Sequence, residues 1–183
     1  MYTLFIDTHA QNAILALYKD NELYQIKVTD KVSQSEVIMP TLIFLLEEAK
    51  LTVDDLSKIA VNIGPGSFTG VRLGVTIAKT MSYCKNIPLV TVTSLELGLP
   101  TNADYLFEEE KNGYYIGKVN DNEITDYIYL KKEDFREFSL KHKVNPLENV
   151  NYKTLIHIIN KKESKNPHTV NPLYVKLIEV EKK

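Results

Sequence analysis

Short apolar runs separated by polar breaks dominate the first thirty residues. Tyr2–Ile6, Ala13–Tyr18 and Leu23–Val28 are predicted strands, divided by Asp7-Thr8-His9-Ala10-Gln11-Asn12 and by Lys19-Asp20-Asn21-Glu22. Asp20-Asn21 is turn chemistry, because both residues tolerate a positive φ, so the segment reads as an antiparallel meander. Ser35 is then a candidate cap for a helix reaching about Lys50, with Glu36 near the positive end of its dipole and Pro40 close to its start. Val37, Ile38, Met39, Leu42, Ile43, Phe44, Leu45 and Leu46 point in almost every direction around that axis. A helix lying on one sheet needs a single apolar stripe; this one needs cover on a second side. Leu56–Ile63 is the next predicted strand, Phe68 to about Cys84 a second helix, and Pro88–Val92 a further strand, with Ser94 capping a short helix that ends near Gly98.

Pro100-Thr101-Asn102 marks a break, which divides the chain into residues 1–100 and 101–183. Beyond it Asp104–Glu108, Tyr114–Val119 and Glu123–Leu130 alternate as strands around the turns Lys111-Asn112-Gly113 and Asn120-Asp121-Asn122. Glu133–Lys143 has a helical pattern, Tyr152–Ile159 suits either strand or helix, and Asn171–Leu177 closes the chain. The sequence contains no internal repeat.

The strand, turn and helix around Gly64-Pro65-Gly66-Ser67-Phe68-Thr69-Gly70-Val71-Arg72-Leu73-Gly74 hold four of the seven glycines. A phosphate loop of the Walker kind needs a lysine and a hydroxyl residue after its last glycine, and here Val71-Arg72 follow Gly70. The dinucleotide pattern fails too, since Thr69 stands in the place of its third glycine. Two readings remain: an anion held at Gly64, Gly66, Ser67, Phe68 and Thr69 by amides at a helix start, or a structural turn with Ser67 as cap. Gly70, Gly74 and Ala78 recur every fourth residue and form a small-residue ridge along which another helix can approach.

Asp7, at the end of the first strand, is the best isolated acidic candidate, for catalysis or metal binding or simply for a turn. His9, His142, His157 and His168 lack partners at zinc-ligand spacing, so no metal site is assigned. Cys84 is the sole cysteine and closes an apolar helix, which excludes an internal disulfide. The tyrosines and phenylalanines 105, 107, 114, 115, 127 and 129 suit cross-strand packing better than base stacking. Net charge is −2, yet from Lys141 onward nine lysines stand against four acids, a local +5 that fits either RNA phosphates or an ordinary solvated surface. Apolar runs are too short to span a bilayer, and no basic leader precedes the first strand, so a cytoplasmic location is expected, with no membrane association.

Ile6-Asp7-Thr8, Ser35-Glu36-Val37-Ile38-Met39-Pro40, the eleven-residue glycine motif and Val92-Thr93-Ser94-Leu95-Glu96 closely resemble the TsaB/YeaZ family of bacterial tRNA threonylcarbamoyladenosine (t6A) biosynthesis. Residues 1 to about 98 carry the resemblance, and Pro172-Leu173-Tyr174-Val175-Lys176 is similar to the family's closing segment, with Lys176 where arginine is usual. The resemblance implies an α/β, actin-like ATPase (ribonuclease-H-like) fold of two lobes, the second of them shortened. It implies a non-catalytic scaffold that binds TsaD and supports threonylcarbamoyl transfer to adenosine 37 of tRNA. Positions matching the metal-binding histidine pair of TsaD are Ser94 and Gly98, and Asp7-Thr8-His9-Ala10 lacks the glycine of the first phosphate motif of active actin-like ATPases. The rival is an ATP-dependent transferase or metallohydrolase using Asp7 and the glycine turn.

On this resemblance no catalytic residue and no metal ligand are assigned, and no cofactor is required by the chain itself. The complex is expected to use ATP, magnesium and a TsaD-bound metal. Expected partners are TsaD, TsaE, tRNA through the complex, and a second copy of the chain when TsaD is absent. The partner-facing residues expected are Pro40, Ile43, Phe44, Phe68, Gly70, Val71, Gly74, Val75 and Ala78.

Overall fold

Alternation in the opening strands produces a sheet whose two faces are both apolar, and each face is covered by its own helices. The computed structural model describes residues 1–29, 33–148 and 150–176. Leu177, with Glu179, Glu181, Lys182 and Lys183 of the basic tail, lies outside the described residues. The described residues form two units, one of Met1–Ser94 with Asn151–Pro172, the other of Leu95–Val150 with residues 173–176.

In the first unit β1 (Tyr2–Asp7), β2 (Ile14–Lys19) and β3 (Glu22–Val28) are the antiparallel meander the sequence predicts, and Asp20 has the expected positive φ of 54°. After α1 (Gln34–Glu48), β4 (Leu56–Asn62) pairs parallel to β1. After α2 (Phe68–Lys85), β5 (Leu89–Val92) pairs parallel to β4, giving the order β3-β2-β1-β4-β5. Leu4, Ile6, Leu15, Leu17, Ile59 and Val61 point to one face and pack with Ile38, Leu42 and Leu45 of α1 and Val71, Val75 and Ala78 of α2. Phe5, Ala16, Tyr18 and Ala60 have the opposite parity and are equally buried. Their cover is α4 (Tyr152–Lys161), whose Leu155, Ile156 and Ile159 are buried, and whose Tyr152 carbonyl accepts the Tyr18 hydroxyl at 2.8 Å. The ambiguous stretch from Tyr152 is therefore a helix.

That helix also changes the division of the chain. A single break near residue 100 is replaced by a first unit that takes back residues 151–172, because one sheet face would otherwise be bare. The returning segment is clasped to α2 by Lys79, whose Nζ donates to the carbonyls of Val170 (2.7 Å) and His168 (3.5 Å). Ser33, two residues ahead of the expected Ser35, stands at the start of α1, and Gln34 anchors that end by donating to the carbonyls of Ala10 and Gln11.

In the second unit β6 (Tyr105–Glu110), β7 (Gly113–Asn120) and β8 (Glu123–Lys131) form another antiparallel meander. α3 (Lys132–Lys141) then leads to a short β9 (Val144–Pro146) parallel to β6. The order β8-β7-β6-β9 repeats β3-β2-β1-β4 of the first unit, and the crossover that adds β5 there has no counterpart among the described residues here. The second unit is thus the shorter copy of one topology. Tyr105, Phe107 and Tyr114 share a face on which Phe135 and Phe138 of α3 pack, Phe135 stacking on Tyr114 with centroids 3.8 Å apart. On the other face Lys176 pairs with Glu110 at 2.7 Å and lies over the Tyr129 ring.

Candidate functional site at the strand ends and along helix α1

Asp7 and Asn62 end adjacent parallel strands, and their parity directs both to the α4 side of the sheet. Carboxyl ends of parallel strands are where open α/β sheets bind ligands. Asp7 is 1% exposed. Its Oδ1 accepts the backbone N–H of His9 at 3.0 Å and the Asn62 side-chain amide at 3.0 Å, and His9 Nδ1 lies 2.6 Å away. Its Oδ2 is buried without a hydrogen-bond partner among the described residues. Burial raises the Asp7 carboxyl, but the charge of His9 and the bonds from His9 and Asn62 outweigh it and hold the group below the ordinary carboxylate range. Across the site, burial and then the Asp7 charge push the Tyr152 hydroxyl upward.

The glycine turn is tied to the same residues. Asn62 Oδ1 accepts the Gly64 amide at 2.9 Å, and Gly64 turns the chain with φ 94°, a conformation that favours glycine. The Ser67 amide donates to the His9 carbonyl at 2.7 Å, and the Ser67 hydroxyl accepts from the Gly70 amide at 3.2 Å, so Ser67 caps α2 as the sequence suggests. Ser94 closes the turn from β5, its amide donating to Gly64 O and its hydroxyl to Pro65 O. Of the amides expected to cradle an anion, those of Gly64 and Ser67 are therefore already engaged within the chain.

The small-residue ridge lies elsewhere than the sequence suggests. Gly70, Val71, Gly74, Val75 and Ala78 are all buried. A Cβ on Gly70 would sit 2.1 Å from the Thr8 carbonyl, and one on Gly74 2.4 Å from Thr8 Oγ1. Thr8 Oγ1 in turn donates to Gly70 O at 2.6 Å. The glycines admit the β1–β2 loop of the same chain, so this ridge is an internal joint and those five residues leave the set of surface candidates. Pro40, Ile43, Phe44 and Phe68 stay outside. Ile43 and Phe44 are about half exposed (52% and 51%), Met39 and Phe68 nearly so, and Pro40 is exposed. Lys27 covers part of the Phe44 ring, with Nζ 4.5 Å from its centroid.

Sequence reasoning selected Asp7 but missed Asn62, Thr8 and the role of His9. The one signal for Asn62 was an amide closing an otherwise apolar strand two residues before a glycine. No group of three or more His, Cys, Asp or Glu side chains suited to a metal occurs among the described residues. No helix among them is long and apolar enough to cross a membrane.

Comparison with known proteins supplies the remaining information. Residues 31–107 match the family described as TsaD: tRNA N6-adenosine threonylcarbamoyltransferase. The chain is 41% identical over 97 residues to the tRNA threonylcarbamoyladenosine biosynthesis protein TsaB of Bacillus subtilis, covering 52% of this chain and 42% of that protein. It is 33% identical over 94 residues to the protein of the same name from Buchnera aphidicola, covering 51% and 45%. The matches thus span less than half the length of these curated relatives. In fold, YeaZ from Pseudomonas aeruginosa superimposes with a TM-score of 0.71 over 94% of this chain and 99% of its own, at 14% identity. Over its glycine-turn half the chain is thus similar in sequence to proteins named TsaB and to the TsaD family, and it shares the fold of YeaZ.

Proposed function

We propose that the chain is a non-catalytic subunit of t6A biosynthesis in the cytoplasm, binding TsaD and supporting its transfer of the threonylcarbamoyl group to adenosine 37 of tRNA. The observation that carries this reading is the apolar row Met39, Pro40, Ile43 and Phe44, exposed on α1 while the opposite side of that helix fills the core. Large apolar side chains left together at a surface mark a protein contact. The similarity to proteins named TsaB and to the TsaD family supports the pathway in this reading. TsaD is the partner proposed for this row, with a second copy of the chain taking its place when TsaD is absent. TsaE and tRNA join through the complex, which brings ATP, magnesium and the TsaD metal.

The strand-end cluster supports the same conclusion. As a seat for nucleotide phosphates it fits poorly: the Ser67 amide is spent on His9, no lysine follows Gly70, and one oxygen of Asp7 is occupied from three sides. One observation favours the enzyme reading, namely the buried Oδ2 of Asp7 without a hydrogen-bond partner among the described residues, and calorimetry with ATP and magnesium decides it. The test of the main reading is reconstitution of tRNA modification with TsaD, with and without the chain, using wild type, Asp7→Asn and Ile43→Asp/Phe44→Asp. Modification that needs the chain, survives Asp7→Asn and is lost together with TsaD co-purification in the double variant is expected. Normal co-purification of the double variant would overturn the assignment of the α1 face.

A further inference from the structure

We propose that the outward side of α4 is a binding surface for the phosphate backbone of RNA, used on tRNA in the assembly proposed above, on which this inference partly rests. With Leu155, Ile156 and Ile159 turned into the core, the exposed side of the helix carries Lys153, His157, Asn160 and Lys161. Residues 153, 157 and 161 recur at four-residue spacing, which sets them in one row with steps of about 6 Å along the axis. The row continues into the next segment. The backbone N–H of Lys165 donates to Leu89 O at 2.7 Å, fixing that segment on the edge of the sheet with the lysine side chain exposed. From β4, Lys58 joins the same surface, its Nζ donating to Asn160 Oδ1 at 2.9 Å while the Asn160 amide donates to Asn21.

A local excess of lysines over acids marks this surface, whereas other lysines such as Lys50, Lys111, Lys118 and Lys131 lie near acidic residues in sequence. Lys27, Lys85, Lys132, Lys141 and Lys176 are each neutralised by a carboxylate within 2.7 Å. Lys153, Lys161 and Lys165 have no such partner among the described residues. Glu163 is the one acid between Asn151 and Val170, against four lysines. At the adjoining β2–β3 turn Asp20 is held by the N-terminal ammonium at 2.7 Å, which leaves Glu22 as the other carboxylate there, beside Lys19. The whole chain carries −2, so this surface runs against the prevailing sign. The row contains no large apolar side chain to enter a membrane interface or anchor a protein contact. Lysines without arginine suit contact with phosphates as point charges and carry no base readout.

Fluorescence anisotropy with an unmodified tRNA transcript tests this on the full chain, alone and with TsaD. The variants are Lys153→Glu/Lys161→Glu/Lys165→Glu and, as a control of equal charge, Lys111→Glu/Lys118→Glu/Lys131→Glu on the second unit, both checked by thermal melting. The α4 variant is expected to bind about tenfold more weakly, with the slope of log K against log salt reduced by roughly 2 to 3 for three lost phosphate contacts. The control is expected to bind within about twofold of wild type, and TsaD co-purification of the α4 variant to be unchanged. Absence of wild-type binding, an equal loss in the control, or an unaltered salt slope in the α4 variant would each overturn the proposal. The measurement on the chain alone decides it even if TsaD binding fails.

Discussion

Replacing Gly74 by alanine separates a core joint from a surface ridge. Gly74 lies inside α2, where alanine favours the helix over glycine by about 0.8–1 kcal/mol. Against this, the new methyl would stand 2.4 Å from Thr8 Oγ1, while the Thr8 Cβ and Cγ2 would be at an ordinary 3.5 Å. One atom creates the whole conflict, and it belongs to a fully buried hydroxyl already bonded to Gly70 O. Displacing it costs about 1–3 kcal/mol of overpacking. Loosening its hydrogen bond costs about 1 kcal/mol more. The net is a loss of roughly 2 kcal/mol, or about 4–8 °C in Tm for a chain of this length. In a Thr8→Ala background the conflicting oxygen is absent, so Gly74→Ala is expected to stabilise by about 0.8–1 kcal/mol, its helix preference alone. The effect of one substitution thus changes sign with its neighbour, a coupling of roughly 3 kcal/mol, at the upper end of what contacting residues show. Urea and thermal unfolding of the four proteins in this cycle measure it. Equal effects of Gly74→Ala in both backgrounds would refute the joint, as would an unchanged Tm accompanied by lost TsaD binding.

Other substitutions probe the strand ends and the second unit. Asp7→Asn weakens the pairing with His9 and is expected to destabilise by about 1–3 kcal/mol at pH 7, read from the urea midpoint. Because the Asp7 carboxyl is held below its unfolded value, its stabilisation is complete above the ordinary carboxylate range and disappears as pH falls through the lowered one. The gap between wild type and Asp7→Asn should therefore close between pH 5 and strongly acid conditions, and a gap that widens would contradict the assigned ionisation. Phe135→Ala removes the ring between Tyr114 and Phe107, and a loss of about 2 kcal/mol, below the 3–5 of a fully buried phenylalanine, is expected from denaturation followed by tyrosine fluorescence.

Most of the first unit was legible because its signals are local. Period-two alternation marked β1 to β3, turn residues fixed the Asp20 bend, and the glycine motif announced the β4–α2 junction. Topological repetition was invisible, since a second β-β-β-α-β unit needs the same apolar pattern and turns but not the same residues. β9 escaped because three residues cannot display a period. The site was half legible. Asp7 stood out at the end of a strand, whereas Asn62 becomes its partner only through the parallel β1–β4 register, a pairing that links residues far apart in sequence. The glycine ridge misled for a related reason. Small residues at four-residue spacing report that something approaches closely, and they do not say whether it is a partner helix or, as here, the Thr8 loop of the same chain.

The return of residues 151–172 to the first unit sets an order of events during synthesis. When Ser94 leaves the ribosome, all five strands of the first sheet exist, yet Phe5, Ala16, Tyr18 and Ala60 have nothing to cover them until α4 follows. At typical elongation speeds of 5–20 residues per second that interval lasts roughly 3 to 13 s. For that time one face of the sheet is an open apolar surface, within reach of chaperones or of another nascent chain. The Leu95–Val150 part of the second unit must be made before the first can be finished.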